Sequence, residues 1–336
     1  MRANSIGCGG NWIIDHVKIV DTFPEEGTLS NILEETHGTG GLAYNVSKSL
    51  RAINKDLVIK GFGVVGDDED GKFILEDLQR SNIDSAGIIV TKEALTSYTD
   101  VITVKDTGVR TFFHNRGANA LFSIEHVDIP KIDVEMFHFG YLLLLDKMDS
   151  HDEEYETVAA RFLSKLKEKG IFTSVDVVSE SSDRFSRIIP PALKYTDLLV
   201  INEIEAGKIS GVQIRKNGEI SEERLKKASQ SIAQLGNNLR IVIHSPEMGY
   251  YFGEDGELVE PSIKLPSGFI KGTVGAGDAF CAGILYGISR EWPMKKSLQF
   301  AHLSACCCLS HPTSTGGMCS EEEIWQLGVS LKKYFS

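Results

Sequence analysis

Gly272-Thr273-Val274-Gly275-Ala276-Gly277-Asp278-Ala279-Phe280 packs a small-residue turn, one carboxylate and the start of an apolar run into nine positions. The residues that follow, through Cys281, Ala282, Ile284 and Leu285, predict a buried helix with Gly275, Ala276 and Gly277 on its N-terminal approach. Amides there lack intrahelical partners, and the helix dipole adds partial positive charge, so such a turn can bind an anion. Glycine lets the backbone come close to a ligand that a Cβ atom would block. Asp278 cannot itself hold a phosphate, because two anions repel; it suits accepting a proton from an attacking hydroxyl. The combination points to phosphoryl transfer onto an alcohol. The same residues also fit a plain N-cap in a tight turn.

Further towards the N-terminus, Asn202-Glu203-Ile204-Glu205 directly follows the apolar run 198–201, which reads as a buried parallel strand. Asn202 and Glu205 then sit at a strand's carboxyl end, where ligands of open α/β sheets collect. An amide and a carboxylate are hard oxygen ligands that suit magnesium through its water shell. An ordinary helix start uses the same residue types. Apolar strands alternate with amphipathic helices elsewhere: 57–63 then 71–80, 136–144 then 153–169, then strands at 172–177, 198–201 and 241–244. This rhythm predicts a layered α/β fold with a mostly parallel sheet. Residues 12–30 and 97–113 instead alternate apolar and polar side chains, which predicts antiparallel strands outside the core.

With these residues in hand, the chain resembles the ribokinase-like (PfkB) family of carbohydrate kinases over nearly its whole length. Gly7 to Asp15 followed by Asp21-Thr22-Phe23-Pro24 is similar to the family's first strand leading into a lid. Gly40-Gly41-Leu42-Ala43-Tyr44-Asn45-Val46 is similar to its N-terminal signature, and Gly63-Val64-Val65-Gly66-Asp67-Asp68 to its Gly-x-x-Gly-x-Asp segment. The Asn202 to Glu205 motif and the signature around Asp278 complete four motifs in the family's order.

The resemblance implies a single three-layer αβα domain over residues 1–336, with a small antiparallel β lid formed by segments at approximately 12–36 and 96–116. It implies Asp278 as catalytic base and an anion hole from the amides of Gly275, Ala276 and Gly277. Asp15, Gly40, Gly41 and Asn45 would bind the sugar, with Arg116 within reach of a phosphate or sugar. ATP would be met by Asn202, Thr273, Gly275, Gly277, His244 and Gly249, and magnesium and its waters by Asn202 and Glu205. The expected reaction moves the terminal phosphate of ATP to a hydroxymethyl group of a sugar or sugar-like molecule. A nucleoside acceptor on the same fold and a catalytically reduced binding protein are the alternatives.

Two departures bear on activity. Gly272 stands where the family usually carries an acid near a monovalent cation, which leaves potassium activation open. His244-Ser245-Pro246-Glu247-Met248-Gly249 replaces a Thr-x-Gly-x-x-Gly segment; Pro246 lacks an N–H and Glu247 adds negative charge on the nucleotide side.

Rival motifs are weaker. Gly66 to Gly71 followed by Lys72 resembles a P-loop, but Phe73 replaces the metal-binding hydroxyl and Asp67, Asp68, Glu69 and Asp70 would repel a triphosphate. Gly61-x-Gly63-x-x-Gly66 matches a dinucleotide fingerprint and gives an oxidoreductase alternative. The net charge of -12, with the acids interspersed, argues against nucleic acid or anionic membrane as partner. No basic-then-apolar leader opens the chain, no apolar run reaches spanning length, and six cysteines lie mostly in apolar surroundings, so a cytoplasmic location is expected. Cys306-Cys307-Cys308 has no metal-ligand spacing and reads as helix packing. An exposed lid edge can pair with a second copy, giving a homodimer.

Overall fold

A computed structural model describes residues 2–180 and 182–334. In chain order its longer strands are β1 Ser5–Gly10, β2 Ile13–Val20, β3 Ile32–Gly40, β4 Val58–Gly66, β5 Asp84–Thr91, β6 Ser97–Val104, β7 Arg110–Asn115, β8 Met136–Leu142, β9 Phe172–Val177, β10 Leu198–Asn202, β11 Arg240–His244, β12 Met248–Gly253 and β13 Gly256–Pro261. The α-helices are α1 Leu42–Ile53, α2 Glu69–Arg80, α3 Val158–Glu168, α4 Phe185–Leu193, α5 Glu203–Ser210, α6 Glu222–Ala233, α7 Ala276–Ser289, α8 Met294–Leu309 and α9 Glu321–Tyr334.

Nine strands form the central sheet in the order β13-β12-β11-β10-β9-β8-β1-β4-β5. All neighbours pair in parallel except β11 with β12 and β12 with β13, so the antiparallel hairpin caps one edge. Strands covered on both faces need apolar residues at every position, and their alternation assigns each side chain to one of two cores. In β10, Leu199 and Ile201 join the core beneath α3, α4, α5 and α6. Leu198 and Val200 join the core beneath α1, α2, α7, α8 and α9. Each fully buried aliphatic side chain contributes about 1.5–3 kcal/mol. The result is the expected three-layer αβα arrangement.

A separate four-stranded sheet, β3-β2-β6-β7, forms the lid. Its outer pairs are antiparallel, but the central pair β2 and β6 is parallel because both strands leave the core in the same direction. The first lid segment runs to Gly40, four residues beyond the expected end. The helix expected from residue 153 begins at Val158: His151–Asp152 and Glu156–Thr157 pair as a small hairpin, and Thr157 caps the helix by accepting the Ala160 amide at 3.1 Å. Asp68 caps α2 through the Gly71 amide, which explains the acid run there and leaves the P-loop reading without a phosphate seat. The glycines of the dinucleotide fingerprint lie inside β4, not in a turn, so the oxidoreductase alternative loses its structural basis.

Candidate active site

α7 begins at Ala276, so that Ala276 and Gly277 lie in its first turn and not on its approach; it follows Gly275, whose φ of 80° is the left-handed conformation glycine adopts freely. A Cβ at Gly275 would stand 2.6 Å from the Ser314 carbonyl, so the segment following α8 presses the turn into shape. The amides of the first helical residues, Ala276, Gly277 and Asp278, have no intrahelical acceptor. Asp278 sits in the first turn, 6% exposed, and lines a cleft of about 470 Å³ between the sheet edge and the lid.

Two side chains hold this carboxylate. Asn45, in the first turn of α1, donates from Nδ2 to Oδ2 at 2.7 Å, and Tyr141, at the end of β8, donates from its hydroxyl to Oδ1 at 2.7 Å. Burial raises the Asp278 pKa to about 6, and these two hydrogen bonds oppose the rise. Asp15, on β2, faces the same cleft, with its pKa also raised to about 6 by burial and by the Asp278 charge. Gly40 must be glycine for this placement: a Cβ there would lie 2.3 Å from the Asp15 carboxylate. Gly41 and Asn45 line the cleft beside them.

Glu205, 5% exposed, also lines the cleft. Asn202 caps α5 by accepting the amides of Ile204 and Glu205, each at 2.9 Å, while Glu205 returns the bond to the Asn202 amide at 2.8 Å. Ser179 donates to the other Glu205 oxygen at 2.7 Å. The Asn202 side-chain oxygen is thus taken up by the cap, and Glu205 is the member of the pair that lines the cleft. Burial raises the Glu205 pKa to about 7. Buried Asp176 stands nearby, its pKa raised by burial and by the charges of Glu205 and Asp278.

The fold places four other expected site residues. Arg116 does not line the cleft: it donates to the Leu143 carbonyl and to Asp146 at 2.9 and 2.7 Å and lies 3.7 Å from Glu180. Gly249 is buried in β12, where a Cβ would meet His302, Leu298 and Phe280, so it packs beneath α8 away from the cleft. Thr273 is exposed and accepts from Arg110 of the lid at 3.2 Å. His244 does reach the α7 turn: a Cβ on Gly277 would lie 3.2 Å from its ring, which packs at a tilt 5.1 Å from Phe280 and is kept neutral by burial.

Both sequence departures have physical explanations. A Cβ at Gly272 would collide with the carbonyls of His311 and Pro312 at 2.7 and 2.8 Å, so backbone occupies the space an acid would need. Glu247 is met by Arg215, which donates to its two oxygens at 2.7 and 2.9 Å and to Glu203 at 2.9 Å. The added negative charge is therefore paired within the protein.

Residues missed in the sequence are Tyr141, His114, Thr99, Arg110 and Asp176. A polar residue at the end of the apolar strand 136–142 was the signal for Tyr141. Thr99 and His114 occupy inward positions on lid strands and contact each other at 3.0 Å. No local motif marks them.

Comparison with known proteins places the family and the fold. The family model of the pfkB family carbohydrate kinases matches residues 3–320. An ATP-dependent ribose-1-phosphate kinase of Halopiger xanaduensis is 25% identical over 293 residues, covering 87% of this chain and 86% of its own. A fructokinase of Zea mays is 23% identical over 309 residues, covering 86% and 85%. The structure of Arabidopsis thaliana ribokinase complexed with ribose and ATP superposes with a TM-score of 0.80 at 17% identity, covering 97% of this chain and 99% of that one. The Methanocaldococcus jannaschii nucleoside kinase gives 0.74 at 17% identity over 98% of both. With the family model spanning almost all of the chain and the fold shared end to end, this protein belongs to the pfkB family of carbohydrate kinases.

Proposed function

We propose that this protein transfers the terminal phosphate of ATP to a hydroxymethyl group of a sugar or sugar-like acceptor. The observation that carries the reading is the buried Asp278 carboxylate placed beside unpartnered helix-start amides at the floor of a lidded cleft. Asp15 and Asn45 hold the acceptor's hydroxyls, and Asp278 takes the proton from the attacking one. The freed oxygen forms a bond to the terminal phosphorus as the bond to ADP breaks. The amides of Ala276 and Gly277 face the charge that develops on the phosphoryl oxygens, which is where catalysis of such transfers resides. Lid closure keeps water from competing as acceptor.

Glu205 suits magnesium: it is a buried carboxylate beside Asp176 with no cationic partner among the described residues, and a divalent cation would relieve that repulsion. Bound there through water, the ion supplies charge neutralisation for the phosphates. Asn202 sets the position of Glu205. Backbone at Gly272 supports activity without a potassium requirement. The unpaired edges of the lid and the exposed Ile32 and Leu33 on β3 support pairing of two copies through the lid. No helix among the described residues is long and apolar enough to cross a membrane, and the free cysteines fit our placement in a reducing cytoplasm.

The test is ADP release from magnesium-ATP across a panel of sugars and nucleosides, with and without potassium. Acceptor-dependent release supports the reading. Binding of acceptors with no release above the ATP-only rate defeats it in favour of a binding protein.

A further inference from the structure

The charge of the acceptor is written into the cleft. Its lining carries four carboxylates, Asp15, Glu180, Glu205 and Asp278, and no lysine or arginine. The cations closest to hand are already engaged. Arg184 donates to both oxygens of Glu180 at 2.9 Å, and Arg116 lies 3.7 Å from the same carboxylate while bonding Asp146 at 2.7 Å. Their charges cancel against those acids, which leaves Asp15 and Asp278 facing the acceptor end with no cation on either. Arg110, the remaining lid arginine near the site, is directed to Thr273 on the side of the phosphoryl-binding turn.

Unpartnered polar atoms complete the picture. Asn45 is 3% exposed, and its Oδ1 has no hydrogen-bond partner although its Nδ2 is held by Asp278. On the lid, His114 Nε2 is buried and unpartnered while Nδ1 contacts Thr99. Burial and the Arg116 charge hold the His114 pKa down, so its ring offers no positive charge. Buried polar atoms without partners are rare and costly in a finished structure, and of the eight on side chains among the described residues these two belong to residues lining the cleft. Asn45 Oδ1 needs a donor, which an ionised phosphate or carboxylate cannot supply. His114 Nε2 takes either role according to tautomer. A hydroxyl is the neutral group that serves both.

We infer that the acceptor is an uncharged polyhydroxy compound, a free sugar or a nucleoside, and that this cleft rejects sugar phosphates and sugar acids. The inference rests on the kinase reading above and narrows it to one charge class.

Specificity constants measured on the full chain with magnesium-ATP decide it. The panel pairs fructose, ribose and adenosine with fructose 6-phosphate, ribose 1-phosphate and gluconate. One like-charge pair about 6 Å apart at an effective dielectric near 20 corresponds to about a hundredfold, so the best neutral acceptor should exceed every anionic one by at least that factor. An anionic acceptor within about tenfold of the best neutral one overturns the inference.

Asp15→Asn should narrow the neutral-to-anionic ratio by about tenfold or more, whereas a merely structural effect lowers both constants together and leaves the ratio unchanged, which refutes the electrostatic cause. His114→Ala should raise the acceptor KM with the ATP KM unmoved; an unaltered acceptor KM removes His114 from recognition. Absence of ADP release with every compound defeats the kinase reading, and calorimetric binding of the same panel then still settles the charge class. Tighter binding of the anionic members would end the inference.

Discussion

Replacing Asp278 by asparagine keeps the shape of the side chain and removes a charge that its surroundings disfavour. Burial moves the carboxyl pKa from 3.8 to about 6 even with Asn45 and Tyr141 donating to it. A folded-state pKa above the unfolded value means that stability is fully present below about pH 4 and is lost as pH rises through about 6. Roughly two units at 1.36 kcal/mol each make the ionised form cost about 3 kcal/mol at pH 7.5. Asparagine approximates the protonated carboxyl, because its oxygen still accepts from Tyr141 and its amide can donate to the unpartnered Asn45 oxygen. The variant should therefore be more stable than the parent at pH 7.5 by about 1–3 kcal/mol. With an unfolding entropy near 0.7 kcal/mol/K for a chain of this length, that is a rise of about 1.5–4 °C in Tm. Thermal unfolding followed by circular dichroism at pH 4.5 and 7.5, without ligands, measures it; the gap should shrink to about a third at the lower pH. The same substitution should cut turnover by about two to four orders of magnitude through loss of the general base. An equal Tm gap at both pH values would refute the buried-charge reasoning, and turnover above about a tenth of the parent's would refute the base assignment.

Tyr141→Phe removes one of the two bonds that hold the Asp278 pKa down, so the acid limb of the kcat/KM profile should move to higher pH by up to about one unit; a stationary limb would show that Tyr141 does not tune the base. Glu205→Gln should raise the magnesium concentration for half-maximal activity by about tenfold, and a superimposable magnesium titration would remove Glu205 from that role. Arg215→Ala leaves Glu247 unpaired and should raise the ATP KM, with Glu247→Gln in the same chain restoring it. Failure of the second substitution to rescue would mean that Arg215 acts through packing and not through charge.

Tyr141 and Asp278 show why only part of the site was legible. Asp278 belongs to a local pattern: the glycines, the carboxylate and the apolar run occupy consecutive positions, and helix-start chemistry follows from them directly. Asn202 and Glu205 were found in the same way, yet their capping geometry shows that the amide serves the helix and the carboxylate faces the cleft. Tyr141 is 137 positions from its partner, and Asn45 is 233 from it. The surroundings of Arg116 were not legible, because a lone arginine carries no sign of the acids that will meet it; Asp146 and Glu180 come from other segments.

Patterns of short range were fixed by the amino-acid order alone: the alternation of strands and helices, the glycine-rich turn at the start of α7 with its candidate base, and the lid segments. These depend on dihedral preferences and on hydrophobic periodicity, both of which act over a few residues. Tertiary structure decided which orphan atoms and unpaired charges share one cleft, that the β2 and β6 lid strands run parallel, and that Arg215 neutralises Glu247. Those outcomes depend on burial and Coulomb interaction between groups far apart in the chain, and only folding brings such groups within range.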